Sequence, residues 1–564
     1  MAVLRRIGSG GRKGARNKDL ANSLRFLARR TLRQLADFAV TTPLVRWTWT
    51  GPASDEWVGG LGEFRPTDRE TVLEMMQGRY LFASRLVDTH GVSPFSVAVE
   101  HGDWLDDLQA FAWLRHFRDA RTDEERRFAR ALTLDWIGRL GGFDRAAWAP
   151  SLCARRVLNW LRHYNLLVEG ASMEQTATIG RSLSTQIQSL RVRGALATEP
   201  VDALLAAIAL VGVCLCGQGN ETELRARVRR VRRLLDEQID DDGLHRSRCA
   251  KVQVQILVEL ITIRQALRRN EELYANEFTE IAESMHRALD AISLGTGEPA
   301  YFNGTGQMPH DLVVAVQAQS PARARATGAA GGYGRLLAGR AIVVADSGLV
   351  PPPAYGGNAH ASALAFEFSY GRDLVVCNCG PAPAGMEDSR PLFRQGVAHS
   401  APTINALSAA GIPSSGPMAG RLVPIGAPAE IEADAADHSL TITTHGYEDR
   451  FGLRVQRSLT LLSEGKTLVG QDRLIRLRHR VSGACAVRFH LAHQTEVMEG
   501  EDLVRLKLNS GAVWTFLWEG AEMRIEDSVR QSAYFGFHRT RQIVLDALAA
   551  DAEEISWIFT LEED

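Results

Sequence analysis

Leu364-Ala-Phe-Glu-Phe-Ser369, closed by Tyr370-Gly371, is the stretch on which the architecture turns. Leu364, Phe366 and Phe368 fall on one side of an extended chain, and Ala365, Glu367 and Ser369 on the other. A period of two over six residues, ended by a turn pair, reads as a β-strand. The same alternation returns in Val487, Phe489 and Leu491 against Arg488 and His490, and in Leu440 and Ile442 against Thr441 and Thr443. Turn residues at Glu464-Gly465, Asn509-Ser510-Gly511 and Glu519-Gly520 separate the runs. Many short strands with frequent turn signals predict an antiparallel sandwich or barrel from about residue 336 to 564.

Upstream the period changes. Trp104, Leu108, Phe111 and Leu114 recur at helical spacing, as do Leu224, Val228, Val231 and Leu235, and Ile256, Leu260, Ile263 and Leu267. Further helices are expected around 125–140, 151–168, 172–192, 201–216 and 271–292. Of the 20 prolines, seven precede residue 301 and thirteen follow it. Residues 20–300 therefore read as an all-α domain of antiparallel helices. A Gly/Ala/Ser-rich connector follows over 301–335. No repeat of fixed length is evident, which disfavours a short-period solenoid.

The 564 residues allow several domains, and 45% hydrophobic with 23% charged residues is an ordinary globular balance. Sixty-five Lys+Arg nearly cancel 67 Asp+Glu, for a net charge of −2, which argues against a nucleic-acid binder. Seven thinly spread cysteines form no disulfide framework. The C-x-C pairs at Cys214/Cys216 and Cys377/Cys379 read as small buried residues rather than a zinc site. Residues 1–34 hold ten Lys/Arg and one acid, Asp19. No apolar run follows, so this is not a recognisable signal peptide. Residues 1–19 read as a flexible basic tail. Leu20, Leu24, Leu27, Leu32 and Leu35 then form a rough helical stripe among arginines. A solvated first helix is the expected reading, and an anionic membrane surface is the other place such a pattern fits. No uninterrupted apolar run of 18 residues predicts an integral membrane segment.

Candidate chemistry clusters around the opening stretch. His360 precedes the strand, Asn378 ends the next, and His399 begins another, so the three can converge. Two imidazoles and an amide oxygen would make a thin metal site. Trp104, Trp113 and Trp160 could stack sugars, but their helical spacing makes them core residues. His490 and His493 are expected at a solvated strand edge.

Three further segments carry a resemblance: His360-Ala-Ser-Ala-Leu-Ala-Phe-Glu367, Val376-Cys-Asn-Cys-Gly380 and Arg394-Gln-Gly-Val-Ala-His399-Ser400. They are similar to the C-terminal domain of the heparinase II/III family of polysaccharide lyases. The likeness extends from Trp104 through Arg155-Arg-Val-Leu-Asn-Trp160, and to Gln238 through Arg248, Tyr301-Phe-Asn-Gly304, Gly446-Tyr447, Arg488-Phe-His-Leu and Ser532-Ala-Tyr-Phe-Gly536. It implies an α+β multidomain chain: an incomplete α/α toroid, then an antiparallel β-sandwich, with a cleft between them.

The implied reaction is β-elimination on a uronic-acid polysaccharide, in which the carboxylate is neutralised and a base removes the C5 proton. On that resemblance His245, Tyr301 and His360 are the catalytic candidates. Arg246, Arg248, Asn303, Asn358 and Arg394 are the substrate-binding candidates, an arginine being suited to clamp a carboxylate. His360, Asn378 and His399 are the implied zinc ligands. The implied partner is an acidic polysaccharide, and the implied place is the periplasm or cell envelope, with the cytoplasm as the alternative. Oligomeric state is not legible.

Departures are equally specific. Val201-Asp202 stands where active members carry Asn-His, and the loop after Asp242-Gly243 has no tyrosine. Asn358 replaces a catalytic histidine, Asn378 a ligand aspartate and Ser362 another frequent aspartate. The alternative is a catalytically degenerate glycan-binding or envelope-assembly protein.

Overall fold

A computed structural model describes residues 25–49, 57, 61–97, 102–270, 274, 276–383, 386–478, 481, 483–532 and 536–562. The expected basic tail, Leu20 and Leu24, and the middle of the Ser532–Gly536 segment lie outside the described residues.

Helices form the first half and antiparallel sheets the second. The main helices run Asp123–Leu140, Pro150–Arg162, Met173–Arg193, Pro200–Val213, Glu221–Gln238, Ala250–Asn270 and Thr279–Ala291. Their starts follow local chemistry. Thr122 and Asn220 cap with side-chain oxygens, Ser172 and Gln175 form a capping box, and Pro150 and Pro200 occupy the first turn, where no N–H is needed. Pro200–Val213 packs on Pro150–Arg162, Glu221–Gln238 and Ala250–Asn270. Its residues from Ala203 to Val213 are all buried. The stretch Pro200–Gly217 is long and apolar enough to cross a membrane, yet 72% of it is buried inside the protein. Being apolar all round suits a helix walled in by others. The helices form the incomplete toroid.

Three expected helices are shorter than their patterns suggested. The stripe through Trp104 breaks at Phe111, which takes a left-handed φ of 60° between Gly102–Gln109 and a 3₁₀ segment. The 151–168 segment breaks at His163. The last begins at Thr279, after Phe278 with φ 62°. All the apolar residues of these stripes that were singled out are nonetheless buried. Hydrophobic spacing reports which side chains go inside, and a single left-handed residue leaves that unchanged. In the connector, a helix spans His310–Gln317 and strands already run Thr327–Ala330 and Tyr333–Ala338.

Two sheets build the sandwich. One has eight strands, from the 496–499 edge through 504–507, 513–519, 554–561, 467–476, 453–462 and 439–444 to 430–434. The other runs from 522–531 through 537–548, 484–491, 373–377, 366–370, 341–346 and 333–338 to 327–330, with 402–404 joined to 484–491. Phe366 stacks on Trp557 with centroids 5.4 Å apart, and Phe489 packs edge-on to Trp557 at 4.8 Å. Gly470 lies directly opposite Trp557 in the ladder. A Cβ there would enter the indole ring. Gly470→Ala is expected to cost about 1–3 kcal/mol by overpacking, read as a lower urea midpoint at unchanged slope.

The alternating strand Phe366–Tyr370 departs from a half-exposed strand. Glu367 and Ser369, the polar side of the alternation, are fully buried. Phe366 and Phe368 face the second sheet, whereas Ser369 and Glu367 meet the helical body, accepting from the N–H groups of Gly295 (2.9 Å) and Tyr301 (3.1 Å). This sheet is therefore covered on both faces, by the sandwich partner and by the toroid.

Candidate functional site

The seam between the two bodies is built around one arginine. Arg248 follows the Asp242-Gly243 turn, where Gly243 has φ 86° and any Cβ would strike the Ser284 carbonyl. Its guanidinium donates to the carbonyls of Gly331 (2.9 Å), Gly332 (2.8 Å) and Leu349 (2.7 Å) and to Asp346 Oδ1 (2.8 Å). It also lies 4.2 Å from the Tyr333 ring centroid. Burial, the largest single influence, lowers its pKa, but Asp346, Tyr333 and Asp240 together raise it above the usual value. Asp242 tightens the seam further by accepting from the Gly331 N–H at 2.7 Å.

From Asp346 a buried chain of hydrogen bonds runs into the sandwich. Ser362 Oγ donates to Asp346 Oδ2 at 2.6 Å. Asn303 donates through Nδ2 to Tyr333 Oη (2.7 Å) and Asp346 Oδ2 (3.2 Å), and accepts from the His360 N–H at 3.1 Å. His360 Nδ1 lies 3.1 Å from His399 Nε2, and His399 Nδ1 lies 2.8 Å from the Gln395 carbonyl. A carbonyl can only accept, so His399 Nδ1 carries a proton. With both rings neutral, His360 Nδ1–H then donates to His399 Nε2. Burial supports that state: it pushes His399 down to about 4 and His360 well below the usual histidine range, with His399, Arg394 and Arg390 adding to the effect on His360.

His245 has both nitrogens engaged. Nδ1 is 2.7 Å from Ser247 Oγ and Nε2 is 3.2 Å from Gln238 Oε1. Its ring packs edge-on against Tyr355 at 5.4 Å. Burial, reinforced by Arg246, lowers its pKa to about 3. Tyr301 is also buried, its Oη donating to Gln307 Oε1 at 2.7 Å and its ring lying 4.1 Å from the Arg530 guanidinium. Burial raises its pKa. Arg394 spends its guanidinium on the carbonyls of Ala359, Gly420 and Gly356. Only Arg246 and Asn358 among the sequence candidates are exposed, Asn358 being bonded by the exposed Arg390.

The structure thus brings Arg248, Asn303, His360 and His399 into one connected network and sets His245 and Tyr301 in separate pockets of their own. It adds residues that sequence reasoning missed. Asp346 is the hub of the network, and Glu367 accepts from the backbone N–H groups of Tyr301 and Asn378 while lying 3.5 Å from Arg530. Glu367 stood in the alternating strand, and its signal was a carboxylate on a strand covered on both faces. His490 is a correction. It is buried rather than at a solvated edge, with Nδ1 2.7 Å from Ser528 Oγ and Nε2 3.1 Å from the Val397 carbonyl. The neighbouring loop, not visible in a strand pattern, covers it. His493 stacks on His538 at 3.8 Å. Trp104, Trp113 and Trp160 are buried in the toroid core. Val201 and Asp202 begin the buried helix, where burial raises the Asp202 carboxyl to about 6.

Zinc takes nitrogen, sulfur or carboxylate ligands, commonly three or four. Here two neutral imidazoles are bonded to each other. Asn378 Oδ1 already accepts from the Ser400 N–H at 2.8 Å. The rest of that amide is its buried Nδ2, which has no partner and is a donor, not a ligand. This donor set does not fit a zinc centre, and no chemistry is routed through one.

A helical toroid seamed to a two-sheet antiparallel sandwich is an architecture shared with known structures. Residues 320–558 match the family described as Heparinase II/III-like, C-terminal. The fold is that of heparinase III, with a TM-score of 0.64, 12% identity and coverage of 83% of this chain and 79% of that one. It is also similar to the heparan sulfate lyase of Pedobacter heparinus, with a TM-score of 0.55, 15% identity and coverage of 99% and 92%. In sequence it is 28% identical over 505 residues to the FtsZ-localized protein C of Caulobacter vibrioides, covering 83% of this chain and 82% of the relative.

Proposed function

We propose that this chain is a catalytically degenerate, glycan-binding member of the lyase scaffold that serves cell-envelope assembly. One observation carries the reading: the groups that would move protons are sealed and already bonded. His245 has both ring nitrogens occupied, Tyr301 donates to Gln307, and Arg248 is consumed by three carbonyls and Asp346. A general base must reach the proton it removes. A base with pKa near 3 is also a weak acceptor at neutral pH.

What remains at the exposed rim is suited to holding an acidic polysaccharide. Arg246, Arg390 and Asn358 are exposed there. Arg390 contributes electrostatically at His360, and Arg246 at Tyr355, so both charges lie close to the seam. The relative is named as FtsZ-localized, and we assign this chain the same localisation. Envelope or periplasm is the compartment that a glycan partner favours, with the cytoplasm as the alternative.

A second reading, β-elimination on a uronate glycan, draws support from the joining of Asn303, His360 and His399 in one network. The two part in a single experiment. Purified protein is mixed with uronate polysaccharides, with and without zinc, while the ultraviolet absorbance of unsaturated uronate and the thermal midpoint are followed. The binding reading expects a flat absorbance and, at about a hundredfold excess of glycan over its Kd, about 2.7 kcal/mol of stabilisation. Arg246→Ala/Arg390→Ala should remove most of that. An absorbance rise abolished by His360→Ala would establish the lyase reading instead.

A further inference from the structure

The first described helix, 25–40, is turned inside out relative to an ordinary surface helix. Its inward side carries the polar anchors. Arg33 donates to the Ala197 carbonyl at 3.1 Å, Asp37 receives both arms of Arg193 at 2.7 and 3.2 Å, and Arg421 lies 4.9 Å from the Phe26 ring. At 100° per residue, Ala28, Thr31, Leu32, Leu35, Phe38 and Ala39 share the opposite side. All six are exposed and none is charged. Leu32, Leu35 and Phe38 are 69%, 62% and 61% exposed, and Leu44, just beyond the helix, is 86% exposed. A contiguous exposed apolar surface marks an interaction site, whereas scattered single residues do not.

Charge identifies the partner. Residues 1–34 carry ten Lys/Arg against one acid, a net +9 in a chain whose total is −2, so residues 35–564 carry −11. Arg25 and Arg29 flank the apolar side and are themselves exposed. Arg145 lies 5.9 Å from the Phe38 ring centroid, adding a cation at the border. Asp37, the acid on this helix, is held by Arg193 and approached by Arg145 at 3.8 Å. A second copy meeting this face would bring two +9 stretches together. An anionic bilayer offers an apolar layer beneath a negative surface, the complement of this arrangement.

We infer that the outward face of helix 25–40, with Leu44, docks the protein peripherally on anionic lipid bilayers, its apolar side chains entering the interface and the flanking arginines meeting the headgroups. The helix is fixed at the same time to the toroid through Ala197 and Arg193 and to the sandwich through Arg421, so docking would orient the whole molecule on the membrane. This inference is independent of the glycan reading.

The test is co-sedimentation of the full chain with vesicles of 70% phosphatidylcholine and 30% phosphatidylglycerol, beside vesicles of phosphatidylcholine alone. Binding is expected to the anionic vesicles, weakened by salt, and reduced at least about tenfold in Leu32→Glu/Leu35→Glu. Arg25→Glu/Arg29→Glu should weaken binding and its salt dependence together. Leu44→Glu lies outside the helix and covers the case in which the double variant fails to fold, judged by its thermal midpoint. The inference is overturned by absence of binding to anionic vesicles, by equal binding of all variants, or by a solution dimer that the leucine variants convert to monomer.

Discussion

Between pH 6.5 and about pH 4 the protein is expected to lose much of its stability. His116, His245 and His490 are lowered to about 3, His399 to about 4, and His360 well below the ordinary value, in each case chiefly by burial. The unfolded chain takes up protons at these rings near pH 6.5, while the folded chain does not until pH 3–4. Stability is therefore full above the unfolded pKa and drains as pH falls toward the folded one. Asp106 and Asp202, raised by burial to about 6, act the other way, since the folded state protonates them first. His163 and His286 are lowered by burial as well, and Asp240 and Glu367 are raised by it, so seven histidines stand against four acids, a net of about three protons or ~4 kcal/mol per pH unit at most from these groups. Over two pH units that is at most ~8 kcal/mol, a large share of a total stability of about 5–15 kcal/mol. The check is the thermal midpoint from pH 7.5 to 4.5. A midpoint flat down to pH 5 would mean that these rings are solvated.

Arg457→Met should be the most damaging single substitution in the sandwich. Arg457 and Asp472 are fully buried and joined by two parallel bonds of 2.7 and 2.8 Å. The same guanidinium donates to the carbonyls of Leu364 (2.8 Å) and Ser400 (2.9 Å), and Trp557 Nε1 donates to Asp472 at 3.0 Å. Removing the cation leaves a buried carboxylate with one donor, at a cost of about 3–5 kcal/mol. Leu364 and Ser400 adjoin the loops that carry His360 and His399, so the variant should also disorder the network at the seam. Replacing both partners, as Arg457→Met/Asp472→Leu, removes the stranded charge and should recover most of the loss. Urea midpoints of the three proteins decide it. A double variant no better than the single would show that the carbonyl bonds, not the stranded carboxylate, set the cost.

The two bodies were legible in the sequence because hydrophobic period is a local signal: 3.6 through Leu224 to Leu235, and 2 through Leu364 to Phe368. The site was partly legible, since His360 and His399, read as flanking strands, lie in loops that the fold brings within hydrogen-bonding distance, while Asn378, just after strand Asp373–Cys377, bonds Ser400 instead. Other features were set by tertiary contact. Whether a strand is covered on one face or two decides the state of Glu367, and its own residues do not reveal what lies over them. His490 reads like an edge residue until the Val397 loop covers it. Arg248 looked like a carboxylate clamp. Only the position of Gly331, Gly332 and Leu349, about a hundred residues away in sequence, shows that its donors are already committed. On the binding reading proposed above, the departures at Val201, Asp202 and Asn358 are its legible sign in the sequence, and the burial of His245 and Tyr301 accords with them.

Arg248 also determines how the molecule can move. It leaves the helical body and makes all four of its guanidinium bonds to the sandwich, with Asp242 bonded to Gly331 beside it. Opening the seam as a hinge would strand a buried guanidinium and a buried carboxylate together. The two halves therefore share one cooperative unit: neither can swing or unfold far without the other.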